Sequence, residues 1–153
     1  IVGNFPYNIS SQIVFRVIDY KDVVDEVTGM FQKEVALRIA AKPGSKDYGI
    51  LSVLTQAYYT GTYLFDVAPE SFEPPPKVMS GVIKLKRRTE KLNCEEIKFK
   101  KVVKTAFNQR RKTMRNSLKE LVTDKSLLSN KVFNLRPEQL SVSDFEALTN
   151  MIG

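Results

Sequence analysis

The chain has 153 residues, a formal net charge of +7 and a hydrophobic content of 42%. It contains no histidine and one cysteine, Cys94, which excludes a histidine-based triad, a histidine metal site and an internal disulfide, so no metal is expected. No apolar run approaches the roughly 20 residues of a membrane span, and we expect a cytoplasmic protein without a membrane partner.

Alternating strand and helix signals predict an α/β arrangement over residues 1–89. Residues 1–4 are typical of the end of a buried strand, and Ser10 or Ser11 can cap the helix that follows. The remaining signals predict a strand over 23–32, a helix stopped by Pro43-Gly44, a helix over 50–59, and a hairpin of strands 61–67 and 80–86.

The character of the sequence changes near residue 89. Helices are predicted near 95–109, 113–122 and 143–152, the last capped by Ser141 or Ser143, and no strand signal accompanies them. We therefore predict two domains, an α/β part over residues 1–89 and a small all-helical domain over residues 90–153.

Positive charge is concentrated between residues 84 and 119, where only Glu90, Glu95 and Glu96 oppose it. Such a density of lysine and arginine fits phosphate backbones, and arginine adds bidentate geometry. An ordinary solvated helix face is the alternative interpretation. The residues that we select as RNA contacts are Lys101, Lys104, Arg110, Arg111, Lys112 and Arg115.

The segment Asn4-Phe5-Pro6-Tyr7 follows the first predicted strand, at the end where open α/β sheets bind ligands. The Asn4 amide oxygen and a backbone carbonyl preceding or belonging to Pro6 offer two acceptors for one amino group. Tyr7 offers an aromatic face, and stacking of a base on such a face contributes about 1–3 kcal/mol. The alternative is a strand-to-helix turn with a buried tyrosine.

Longer segments carry a family resemblance. NFPYNIS, SFEPPPKV, FNQRRKTMRNSLK and LRPEQLSVSDFEAL occur in this order, and together they resemble the ribosomal RNA adenine dimethyltransferases, in their bacterial branch. The resemblance implies the C-terminal part of a Rossmann-like methyltransferase sheet, ending in an antiparallel hairpin, followed by a small helical domain.

The resemblance also implies a chemistry. Methyl groups pass from S-adenosylmethionine to two adjacent adenosines near the 3′ end of 16S rRNA, in the immature small ribosomal subunit. Asn4 and Pro6 would hold the target amine, Asn4 would also contact the cofactor, and Tyr7 and Phe72 would stack on the adenine. A loop aromatic buried beneath the prolines is the alternative role for Phe72.

Family members carry a glycine-rich cofactor loop and an acidic ribose-binding residue that this sequence does not contain. We therefore expect that these 153 residues correspond to the C-terminal half to three-fifths of a family member, and that alone they are inactive. The alternatives are an RNA-binding or ribosome-assembly module without catalysis, and an adenine methyltransferase that acts on DNA or another RNA.

Overall fold

The chain divides into two compact units. The structure, a computed structural model, describes residues 1–71, 73–74 and 78–152. Unit 1 combines Ile1–Ala41 with Thr55–Glu90, and unit 2 combines Lys42–Leu54 with Lys91–Gly153. This division differs from the predicted one, because Lys42–Leu54 belongs to the same unit as the C-terminal helices. The predicted domains 1–89 and 90–153 stay a prediction.

Unit 1 contains a four-stranded mixed sheet. Its strands are β1 (Val2–Asn4), β2 (Glu26–Gln32), β3 (Tyr59–Val67) and β4 (Ser80–Arg87), in the order β1-β2-β4-β3. β1 is parallel to β2, and β4 is antiparallel to β2 and to β3, which confirms the predicted hairpin. The ends of β1, β2 and β3 and the start of β4 therefore lie at one side of the sheet, the carboxyl edge, which comprises Asn4, Gln32, Val67 and Ser80.

Two helices accompany this sheet, α1 (Ser10–Asp19) and α2 (Lys33–Ala40), and α3 (Ile50–Gln56) precedes β3. α2 packs against β3 and β4, because its apolar spacing buries Val35, Ala36 and Ile39 on one face. The end of α2 is held by Gln56, whose side-chain amide donates to the carbonyls of Ile39 and Ala41, at 2.9 and 2.7 Å.

Several predicted boundaries are wrong by a few residues. β2 begins at Glu26 rather than at residue 23, and α3 ends at Gln56 rather than at residue 59. The proposed cap of α1 is also wrong, because Ser10 is the first helical residue and its hydroxyl donates to the Tyr7 carbonyl at 3.1 Å.

Unit 2 has a helical core. Its helices after residue 91 are α4 (Glu96–Asn108), α5 (Met114–Leu118) and α6 (Val142–Ile152), with short 3-10 turns at Lys125–Ser129, Lys131–Asn134 and Pro137–Gln139. α4 packs against α5 and α6. The predicted cap of α6 is confirmed. The Ser141 amide donates to the Asp144 carboxylate at 2.9 Å, and the Asp144 amide donates to the Ser141 hydroxyl at 3.1 Å. Within the described ranges, no helix is long and apolar enough to cross a membrane.

The pairing of β1 with β2 contains two glycines. Gly3 and Gly29 are register partners, and the Phe5 ring lies over both of them. A Cβ atom on Gly3 would lie 2.7 Å from Phe5 Cε1, and one on Gly29 would overlap the other edge of the same ring. Phe5 also packs against Phe31, with ring centroids 5.1 Å apart. The absence of a side chain at both glycines is what allows Phe5 to lie flat against the sheet.

We expect Gly29→Ala to destabilise the fold by about 1–3 kcal/mol, because the added methyl must displace the Phe5 ring in a packed region. The matched control is Gly61→Ala in β3, whose Cβ would meet nothing closer than 3.4 Å. Urea denaturation measures both variants, and equal stabilities would contradict the packing described for Phe5.

Candidate functional site

Asn4 is the last residue of β1 and lies at the carboxyl edge. Its backbone is fixed, because the strand register pairs Asn4 with Met30 and the next amide, that of Phe5, donates to the Met30 carbonyl at 3.3 Å. Side chains alternate along a strand, so Asn4 projects from the face opposite Gly3 and Phe5. The side chain of Asn4 is exposed.

Two carbonyls follow Asn4 and differ in their hydrogen bonding. The Pro6 carbonyl accepts the Ile9 amide at 3.3 Å, which begins the 3-10 turn Tyr7–Ile9. In the part of the chain that the structure describes, no hydrogen bond reaches the Phe5 carbonyl or the Asn4 side chain. A carbonyl oxygen has two lone pairs, so Pro6 keeps one acceptor site and Phe5 keeps both.

Tyr7 is half-buried, and its hydroxyl forms a hydrogen bond with the hydroxyl of Ser80. The two residues are 73 positions apart in sequence. The bond joins the turn after β1 to the first residue of β4, which lies at the same edge of the sheet. The tyrosine ring is therefore held at the carboxyl edge next to the Asn4 turn.

A polar cluster occupies the β3 side of this edge. The Lys33 ammonium contacts the Asp66 carboxylate at 3.1 Å, and the Tyr63 hydroxyl donates to the other oxygen of the same carboxylate. The hydrogen bonds from Tyr63 and Lys33 lower the pKa of Asp66. Burial, together with the Asp66 carboxylate, raises the pKa of Tyr63 to about 12. Near pH 7 the Asp66 carboxyl is therefore ionised and the Tyr63 phenol is neutral.

Phe72, the second predicted stacking residue, lies outside the described residues. No group of histidine, cysteine and acidic side chains suited to a metal ion occurs among the residues that are described.

The basic residues selected as RNA contacts lie on α4, in the turn after it and on α5. Lys101 and Lys104 are exposed on α4, and Arg111 and Lys112 are exposed in the turn. Arg110 is half-buried and donates to the Lys46 carbonyl at 3.3 Å.

Arg115 is exposed, but its guanidinium donates to the Asn134 side chain at 2.7 Å. For these six residues, no ion pair with a carboxylate occurs within the described ranges. Four of them, Lys101, Lys104, Arg111 and Lys112, are thus exposed cations without a neutralising partner in this part of the chain.

Two of the three basic residues on β4 form ion pairs with acidic residues of the neighbouring chain segment. Lys84 pairs with Glu26 at 3.2 Å, and Arg87 pairs with Asp25 at 2.6 Å. The three glutamates within residues 84–119 are thus not the only acidic residues that oppose the basic stretch. Glu26 on β2 and Asp25 directly before it, both distant in sequence, pair with residues of β4.

Ser80, Asp66 and Tyr63 belong to no motif in the sequence and were not among the predicted site residues. Ser80 opens the strand segment SGVIKL, and the predicted hairpin already returned that strand to the edge where β1 ends. A search of all strand ends at that edge for polar residues would have found Ser80.

The fold is that of Rossmann-like ribosomal RNA methyltransferases. A dimethyladenosine transferase from Plasmodium falciparum superposes with a TM-score of 0.85 at 24% identity, over 99% of this chain and 66% of that one. The 23S rRNA methyltransferase ErmE superposes with a TM-score of 0.67 at 25% identity, over 97% of this chain and 64% of that one. The predicted fold class is confirmed.

The chain belongs to the ribosomal RNA adenine dimethylase family, whose model matches residues 1–151. Proteins described as ribosomal RNA small subunit methyltransferase A are 58% identical in Bacteroides thetaiotaomicron and 59% identical in Flavobacterium johnsoniae, each over 99% of this chain. The chain spans 58% and 59% of the length of these two curated relatives. The resemblance recognised from the sequence is confirmed.

We expect Asp66→Asn to lower the pKa of Tyr63 from about 12 towards 10, because the carboxylate stabilises the neutral phenol. The shift should be incomplete, since burial is the larger cause and remains. The raised pKa means that Tyr63 favours folding below pH 10, and that this contribution is lost as pH rises through about 12.

NMR titration of the tyrosine Cζ resonances measures the Tyr63 pKa, with Tyr63→Phe assigning the signal. A pKa for Tyr63 that is unchanged by Asp66→Asn would contradict the hydrogen bond.

Proposed function

We propose that these residues form the adenine-binding part of an S-adenosylmethionine-dependent ribosomal RNA adenine dimethyltransferase. The product would be N6,N6-dimethyladenosine at two adjacent adenosines near the 3′ end of 16S rRNA, during maturation of the small subunit in the cytoplasm. The observation that carries the proposal is the turn after β1, where Asn4 and the Phe5 and Pro6 carbonyls offer acceptors at the carboxyl edge of a methyltransferase sheet.

The acceptors would act on the exocyclic amine of the target adenine. The Asn4 oxygen and one carbonyl of the Phe5–Pro6 turn would each accept one amine hydrogen, which turns the nitrogen lone pair away from both. The Phe5 carbonyl supports this role most strongly, because it has no competing partner among the described residues. Alignment of this kind accelerates a reaction without a general base, which agrees with the absence of histidine.

Tyr7 would provide the stacking surface for the adenine. Its half-buried ring lies beside the Asn4 turn, and its hydroxyl is already engaged by Ser80. We also propose, on the basis of the family resemblance, that Phe72 is the second residue that stacks on the adenine.

S-adenosylmethionine would supply the electrophilic methyl group. Asn4 fits a position beside the cofactor, because it is an exposed polar residue at the strand end where such sheets bind ligands. Asn4 is the one residue here assigned to the cofactor, and we propose that residues 1–153 alone do not catalyse methyl transfer.

The exposed cations of unit 2 would hold the RNA substrate. Lys101, Lys104, Arg111 and Lys112 have no carboxylate partner within the described ranges and suit phosphate contacts. Arg110 and Arg115 are partly engaged within unit 2, so their proposed RNA contacts would compete with those hydrogen bonds.

A chimaeric enzyme tests the catalytic part of the proposal. In it, residues 1–153 replace the matching segment of the Bacteroides thetaiotaomicron relative, so that the segment is assayed at full length. We expect Asn4→Ala to reduce methyl transfer to unmethylated small subunits by at least about 100-fold, because one amine acceptor is lost. Binding of subunits should remain within about twofold, since phosphate contacts dominate affinity.

Transfer of radiolabelled methyl groups and filter binding measure the two quantities, with Asn150→Ala on α6 as the control substitution of the same type. Full activity of the Asn4→Ala chimaera would refute the catalytic assignment. Inactivity of the unsubstituted chimaera would favour the alternative, an RNA-binding module without catalysis.

The RNA contacts are tested in the same chimaeric enzyme. We expect the double variant Arg111→Ala/Lys112→Ala to bind small subunits several-fold more weakly and to reduce the slope of log K against log salt by about 1–2, because two phosphate contacts are lost. Lys131→Ala, an exposed cation elsewhere in unit 2, is the control. An unchanged salt slope would place the RNA-binding surface elsewhere.

A further inference from the structure

Ser80 is a polar side chain in a fully buried position. Its exposed fraction is 0%, and the hydroxyl forms a hydrogen bond with the Tyr7 hydroxyl. It is the first residue of β4, where it pairs with Gln32 at the end of β2 and with Val67 at the end of β3. A buried hydroxyl is costly without a partner, and Tyr7 supplies that partner.

The bond crosses the end of a strand. β1 and β4 lie on either side of β2, so the turn that carries Tyr7 starts roughly 10 Å from the axis of β4 at the usual strand spacing. The turn and the Tyr7 side chain together bridge this separation, so that the Tyr7 hydroxyl reaches Ser80. No other hydrogen bond links the turn after β1 to β4 in the described part of the chain.

Both ends of the Tyr7 side chain are consequently fixed. At the backbone end, the Tyr7 carbonyl accepts the Ser10 hydroxyl at 3.1 Å, and the Phe5 amide is bonded to β2. At the far end, Ser80 holds the phenolic oxygen. A ring held at both ends of its long axis cannot swing away from the carboxyl edge, which is the property required of a stacking surface.

We propose that Ser80 is a positioning residue for the methyl-transfer reaction, acting through the Tyr7 hydroxyl to hold the ring against the target base. The proposal rests on the proposed function, because it assumes that Tyr7 stacks on adenine. Ser80 itself touches neither the base nor the cofactor in this scheme. Its contribution is to the alignment of bound substrate and therefore to kcat more than to KM.

The test uses the chimaeric enzyme and five variants, one of which is a control. We expect Ser80→Ala to lower kcat for methyl transfer by roughly tenfold, with KM for small subunits within about twofold, because RNA is held mainly by phosphate contacts. Ser117→Ala is the matched control, a buried serine whose hydroxyl has no partner in the described part of the chain, and its kcat should be unchanged.

Tyr7→Phe removes the same hydrogen bond and keeps the ring. We expect Tyr7→Phe and the double variant Tyr7→Phe/Ser80→Ala to have the kcat of Ser80→Ala, because one interaction cannot be lost twice. A merely structural serine would instead give additive losses, or a lower melting temperature with an unchanged kcat for the folded fraction. Either result, or a kcat of Ser80→Ala equal to that of Ser117→Ala, would overturn the proposal.

Tyr7→Ala separates this proposal from the proposed function. Loss of activity in Tyr7→Ala with normal activity in Ser80→Ala and Tyr7→Phe would reject Ser80 as a positioning residue and leave the stacking role of Tyr7 intact. Full activity in Tyr7→Ala would reject the stacking role itself, and the role of Ser80 with it.

Discussion

The Phe5 amide donates to the Met30 carbonyl, and this bond carries the parallel ladder of β1 and β2 one residue beyond Asn4. The backbone is therefore fixed on both sides of the Asn4 side chain. The same register sets Gly3 against Gly29, which leaves room for the Phe5 ring on one face of the sheet. With Phe5 held on that face, the carbonyls that follow Asn4 stay at the carboxyl edge. The candidate acceptor geometry thus depends on a strand pairing and on the absence of two side chains.

The sequence was sufficient to predict the α-helices and strands and their order, because hydrophobic periodicity reports the buried face of each one. It was not sufficient for their ends. Val23 and Val24 are β-branched and were placed in β2, yet their amides donate to the Tyr20 carbonyl in a turn. The preference of a β-branched residue for strands does not show whether it lies in a strand or in a turn, because tertiary contacts decide between the two. The 3-10 turns at Lys125–Ser129 and Lys131–Asn134 were missed although a signal existed, since Asp124 and Asn130 each accept the amide two residues on.

The charge pattern shows a similar limit of sequence-based prediction, because ion pairs across a sheet join residues that are distant in sequence. Here the limit affects the candidate RNA surface. In sequence, residues 84–119 form one basic stretch, but Lys84 and Arg87 on β4 have acidic partners on the adjacent strand and directly before it. Exposed ion pairs of this kind contribute little to stability, yet they reduce the positive field available to a polyanion. The exposed cations on α4 and in the turn after it have no carboxylate partner within the described ranges, so the candidate RNA surface lies there, among the residues selected from the sequence.

The hydrogen bond between Tyr7 and Ser80 connects the recognisable motif to a residue that no local motif contains. Asn4, Pro6 and Tyr7 could be selected from four consecutive letters, because backbone proximity brings them together in any fold. Ser80 reaches them only through the antiparallel return of β4 beside β2. Replacing a buried serine with alanine costs little stability when the serine hydroxyl has no hydrogen-bond partner. Here the partner is a tyrosine at the candidate site. One hydrogen bond therefore both satisfies the buried Ser80 hydroxyl and orients the Tyr7 ring.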